Sequence, residues 1–155
     1  MNNMKKHNKR GFTTLELLTV IGIISILAAA AVPSYGLMKK NVTFTNTVEE
    51  VVNTLRVAQN NATSSQDGKM WGVYFEENQY KLFSCNDETC SGQTFTATYP
   101  VNNGLRLDAT TPFSVIFNRL FGTLYGVAVP EIINVEKGGG SVKSIQVDLD
   151  GKISS

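Results

Sequence analysis

The stretch KRGFTTLELLTVIGIISILAAAAVPSY, residues 9–35, decides how the rest of the chain reads. From Phe12 to Val32 it runs 21 residues with one charge, Glu16. As a helix rising 1.5 Å per residue it reaches about 31 Å, close to the thickness of a bilayer core. Lys5, Lys6, Lys9 and Arg10 precede it with no acid among them. Such a cluster stays on the cytoplasmic side of a membrane, which leaves the rest of the chain exported. A carboxylate in the run disfavours insertion, by up to about 3 kcal/mol at mid-helix and less near an end. An ordinary secretory signal, with LAAAAVPS as its cleavage site, derives nothing from that cost. Neither does a plain single-pass anchor. An acid inside an apolar segment points instead to a function, and it needs a partner.

The 155 residues suffice for one domain plus an anchor. The net charge of +1 hides an uneven distribution. Setting aside the four basic residues of the head leaves 10 Lys+Arg against 13 Asp+Glu, a net of −3. This acidic body argues against nucleic acid as a partner. The single histidine, His7, lies in the basic head, so nothing after Phe12 supplies the commonest general base. Ser, Thr and Asp fall in no nucleophile-elbow or phosphate-loop pattern. Glu49/Glu50, Glu76/Glu77, Lys69 and Lys81 read as solvated charges. Cys85 and Cys90 form a C-x4-C pair with no histidine near to complete a zinc site. In an exported chain an even, close pair reads as a disulfide. DLDG, residues 148–151, reads as a turn, because a calcium loop supplies six or more oxygens. The expectation is a protein without enzymatic activity, cofactor or metal.

Past Pro33 the helical pattern resumes, so the proline is expected to kink the helix rather than end it. Val48, Val51, Val52, Leu55, Ala58 and Ala62 keep 3/4 spacing, an amphipathic stripe that reaches about residue 63. After SSQDGK the period becomes two. KMWGVYFE and QYKLFS flank a short EN turn and read as a hairpin. TFTATY, GLRLDA, FSVIF with GTLYGVAV, EIINVE and KSIQVDLDGKIS are further strand candidates, separated by Gly, Pro, Asn and Asp. Four to seven strands on one amphipathic helix predict an α+β fold.

RGFTTLELL resembles the processing site of type IV pilins and type II secretion pseudopilins. In that family a basic leader ends in glycine, an N-methylated residue begins the mature chain, and a glutamate is its fifth residue. The resemblance implies leader cleavage between Gly11 and Phe12 by prepilin peptidase, N-methylation of Phe12, and a filament-assembly role for Glu16. Pro33 falls where many members carry a helix-kinking proline. The implied fold is type IV pilin-like, a long N-terminal helix packed on a C-terminal antiparallel β domain. The implied organisation is a leader at 1–11, a transmembrane and filament-core helix at 12–33, an amphipathic helical half at 34–66, and a β-rich periplasmic domain at 67–155. Implied partners are other pilins or pseudopilins, prepilin peptidase and an inner-membrane assembly platform, with the chain anchored in the inner membrane. TLRVAQNNA, WGVYFEENQYKLF and FNRLFGTLYG are also similar to the H-class minor pseudopilin. Some pilus-system relatives bind DNA through arginines in a C-terminal tail; VDLDGKISS has none. Two other readings stay open: a pilus-tip or surface subunit whose β domain binds a ligand such as DNA or a secreted substrate, and a soluble periplasmic protein with an ordinary signal peptide.

Overall fold

A computed structural model describes residues 11–155, apart from 87–89, 91, 103, 109–111 and 139; within the first helix, the side chains of 30–34 and 37 also lie outside the described residues. The expected leader, Gly11 excepted, therefore lies outside them too. One helix, α1, covers Thr14–Thr63, and a 3-10 turn follows at Gln66–Gly68. Eight strands come next: β1 Met70–Glu76, β2 Gln79–Cys85, β3 Gln93–Pro100, β4 Leu105–Leu107, β5 Phe113–Phe117, β6 Glu131–Lys137, β7 Ser141–Val147 and β8 Ile153–Ser154. The chain divides after Lys40 into two units.

In the first unit the helix presents Leu15, Leu17, Leu18, Val20, Ile21, Ile23, Ile24, Ile26 and Leu27 to the outside on every side. A helix apolar all round belongs in a membrane or among other helices. Among the described residues no helix is long and apolar enough to cross a membrane. The expected span, 12–33, runs into residues 30–34, whose side chains are not described. The helix continues through Pro33 in its backbone assignment.

The second unit, 41–155, carries its own core. Phe44, Val48, Val51, Val52, Leu55, Ala58 and Ala62 are buried along one side of the helix, so the predicted stripe faces inward as its spacing requires and starts one turn earlier than Val48. It packs with Trp71, Val73 and Phe75 of β1, Tyr80 and Leu82 of β2, Val115 and Phe117 of β5, and Leu107, Ile133, Val135, Ile145 and Val147 of the later strands. Every residue of this cluster lies at or beyond Phe44.

The strands form two antiparallel four-stranded sheets rather than a single layer, in the orders β3-β2-β1-β5 and β4-β6-β7-β8. The predicted hairpin is β1–β2, with Glu76 opposite Gln79 across the Glu77–Asn78 turn. That turn also ties the sheets together: Asn78 O accepts from Val101 N–H at 2.9 Å and Glu77 O from Leu107 N–H at 3.0 Å. On the face of β1 away from the helix, Gly72 leaves room for the Phe83 ring, since a Cβ there would meet Val115 O at 2.5 Å and Phe83 Cζ at 2.8 Å.

GTLYGVAV does not form the expected strand; it contributes only an isolated bridge, Leu124 to Phe117. Its backbone is committed elsewhere. Leu120 N–H donates to Ala62 O at the end of the helix, Gly122 N–H to Asn118 O, and Asn118 Nδ2 to Thr123 Oγ1 and Leu124 O. KSIQVDLDGKIS is split by a turn at DLDG. Gly151 N–H donates to Asp148 O at 2.8 Å, Asp148 N–H to Lys152 O at 2.9 Å, and Gly151 takes a left-handed φ of 86°. A glycine in that conformation closing a three-residue loop is ordinary hairpin chemistry.

Candidate functional site

The helix of the first unit begins at a threonine. Thr13 O accepts from Leu17 N–H and Thr13 Oγ1 accepts from Glu16 N–H, both at 3.2 Å. Thr13 is thus the N-cap, and Glu16 is the third helical residue, completing a T-x-x-E capping pattern. An acid in the first turn is also favoured by the helix dipole, by about 0.3–1 kcal/mol. The residue reading above missed Thr13, although the T-x-x-E spacing was there to be read.

Gly11 has no neighbouring atom where a Cβ would stand. Phe12 beside it is 82% exposed. Two hydroxyls inside the apolar run, those of Thr19 and Ser25, are satisfied by their own helix, Thr19 Oγ1 donating to Glu16 O at 2.9 Å and Ser25 Oγ to Ile21 O at 2.8 Å. This is how hydroxyls are accommodated where water is absent. The Glu16 carboxylate is different: it is exposed, and among the described residues it has neither hydrogen-bond nor ion-pair partner. Gly11, Phe12 and Glu16 therefore lie together at the start of α1, with an exposed carboxylate that has no partner among the described residues. Pro33 lies within α1, and its side chain is outside the described residues.

In the second unit Cys85 and Cys90 are joined in a disulfide at the end of β2. They are buried with Met70 and Phe83 on the face of the first sheet away from the helix. Nearby, Lys81 donates to Glu76 at 2.6 Å and lies 5.4 Å from the Phe95 ring centroid. The Lys81 hydrogen bond, then that of Gln79, holds the Glu76 carboxyl below the usual carboxylate range. A cleft of about 660 Å³ is lined by Asn78, Asn102, Arg106, Glu136 and Lys137 among others. Its cations are engaged, Arg106 with Glu77 at 3.1 Å and Lys137 with Asn41. Of the carboxylates and lysines expected to be solvated charges, Glu76 and Lys81 are instead drawn together as a half-buried ion pair at 2.6 Å, whereas Glu49 and Glu50 lie on the exposed face of α1 and Glu77 bonds to Arg106 at the surface.

Gln59 is the structural residue that sequence reasoning overlooked. Its Nε2 donates to Gly122 O at 2.9 Å and to Gly151 O at 2.8 Å, so one side chain on the helix holds two distant turns. Both glycines have positive φ, and their burial leaves no other partner for those carbonyls among the described residues.

Residues 6–32 match the prokaryotic N-terminal methylation motif. The motif covers Gly11, Phe12 and Glu16, and it supports the resemblance to type IV pilins and pseudopilins: a structural protein that is a substrate of prepilin peptidase. It ends before the globular unit, so the likeness to the H class rests on the sequence runs quoted for it. No curated protein and no solved structure matches the chain.

Proposed function

We propose that this chain is a minor pilin or pseudopilin, a structural subunit of a type II secretion pseudopilus or a type IV pilus. Prepilin peptidase cuts between Gly11 and Phe12 and the new N-terminus at Phe12 is methylated. The apolar segment 12–33 anchors the chain in the inner membrane before assembly, with Pro33 bending the helix and the β-rich domain outside the cytoplasm. In the filament the Glu16 carboxylate pairs with the α-amine of Phe12 on a neighbouring subunit. Two groups that are each costly in an apolar bundle then neutralise one another and fix the axial register.

The observation that carries this reading is the Glu16 carboxylate, without a partner among the described residues, four residues after Phe12 in a run where the Thr19 and Ser25 hydroxyls bond back to their own helix. Helix capping also accounts for an acid at this position. The capping pattern is met equally by an uncharged glutamine; what the charge itself adds at the helix start is the interaction with the helix dipole, about 0.3–1 kcal/mol. Mass spectrometry of the purified protein tests the reading. A mature chain that begins at methylated Phe12 supports it; one that begins near Val32 or Ser34 refutes it and leaves an ordinary signal peptide.

A further inference from the structure

β3 stands at the end of its sheet, with β2 on one side and, among the described residues, no strand on the other. All of its eight residues are exposed except Ala97, which is half-buried. Among the described residues its backbone makes no hydrogen bond outside its pairing with β2. It is flanked by aromatic surface on both faces: Phe95, 47% exposed, lies edge-on to Tyr74 and Phe83, and Tyr99, 38% exposed, stacks on Tyr80. Residues 89–105 contain no charged side chain, the longest such run after Lys40. An open edge of this kind is a template for another strand; a lysine, a proline or a bulge can blunt it, and β3 has no charge along it, a bulge at Thr96 and a proline only at its end. The other free edges here are short, charged or partly covered; β5, at the far end of the same sheet, has five residues, and its end is met by Tyr125, whose N–H donates to Ile116 O at 2.9 Å, and by the Leu124 bridge to Phe117. β4 and β8 have three and two residues, and the part of β7 not covered by β8 carries Lys143.

We propose that the outer edge of β3 is a self-association surface, on which a second copy of this chain adds its own β3 in antiparallel pairing. The incoming strand must itself be extended, exposed and open along one side, and β3 is the long uncharged strand that meets this. Two identical antiparallel strands related by a two-fold axis are self-complementary, the commonest symmetry of protein pairs. Like charges facing across the axis would defeat the contact, and β3 has none to oppose. The pairing would join two four-stranded sheets into one of eight. Two features limit its length: the register shift opposite Leu82 and Phe83, which leaves Thr96 as an extra residue, and Pro100, which lacks an N–H. Neither adds a charge. A two-fold contact closes on itself and does not propagate along a filament, so this surface is independent of the assembly proposed above.

The test uses the full chain in detergent micelles, with sedimentation equilibrium over a range of protein concentrations. Thr96 is exposed at the middle of the strand, and Thr96→Lys and Thr96→Glu place like charges across the axis. The wild type is expected to dimerise reversibly, and each variant to associate at least about tenfold more weakly. An equimolar mixture of the two variants should recover association, and added salt should weaken that recovery. The apolar segment is identical in every sample, so contacts through it do not respond to these charges. Unchanged melting of each variant confirms its fold. A wild type that stays monomeric, single variants that dimerise as tightly as wild type, or a mixture no tighter than its components would each overturn the proposal.

Discussion

Gln59→Met removes the amide that joins three parts of the second unit while keeping the length and bulk of the side chain. The wild-type amide donates to Gly122 O and Gly151 O, and both glycines are buried. Losing the donor leaves two carbonyl oxygens unpaired, at about 1–3 kcal/mol for each buried group. The bonds are only partly buried, so a water molecule can relieve some of this, and about 2–4 kcal/mol in total is expected. For the 115 residues from Asn41 to Ser155, an unfolding entropy of about 2.1 cal/mol/K per residue turns that into a fall in Tm of about 8–16 °C. Thermal unfolding followed by circular dichroism measures it. Gly151→Ala is the companion variant, because its Cβ would collide with the Gly122 carbonyl and stand 2.5 Å from Gln59 Nε2. It should destabilise at least as much, and the double variant should cost less than the sum, since both act on one junction. A Gln59→Met protein melting within 2 °C of wild type, a margin of about 0.5 kcal/mol, would show that the two turns hold without the amide.

Glu16→Gln separates helix capping from charge pairing, since glutamine keeps the T-x-x-E/Q pattern and loses the charge. Like Glu16→Ala, it should be processed normally yet co-fractionate poorly with the assembled filament in a strain lacking the wild-type copy; wild-type incorporation of Glu16→Gln would assign the residue to capping. Replacing Cys85 and Cys90 together by serine opens a small ring and should cost about 2 kcal/mol, read as a lower denaturant midpoint with leader cleavage unaffected. Burial pushes the Tyr80 hydroxyl from its ordinary 10.0 up to about 12. The folded protein keeps this proton while the unfolded chain releases it, so the contribution is complete below about pH 10 and is lost as pH rises toward 12. Tyr80→Phe should therefore flatten the fall of Tm with pH across that interval.

The helix and the first hairpin were legible because their signals are local. Six apolar residues at 3/4 spacing can only form one stripe, and KMWGVYFE and QYKLFS alternate on either side of a two-residue turn. The split into two sheets was not legible, because strand pairing between β4 and β6, or β1 and β5, depends on contacts distant in sequence. GTLYGVAV has strand composition, yet its neighbourhood is captured by Ala62 O, by the Asn118 side chain and by Gln59, partners that composition does not reveal. Gln59 itself reads as any polar residue on a helix; its two acceptors lie 63 and 92 residues away. The region around Gly11, Phe12 and Glu16 was the easiest to read, since its chemistry is carried by adjacent residues and needs no tertiary fold.

Among the described residues the buried cluster of the second unit begins at Phe44 and includes none before it. The cut proposed at the Gly11–Phe12 bond would remove none of these core residues, so cutting and folding of the second unit could occur in either order. A peptidase can act on a nascent chain or on one that has already folded, with the same product.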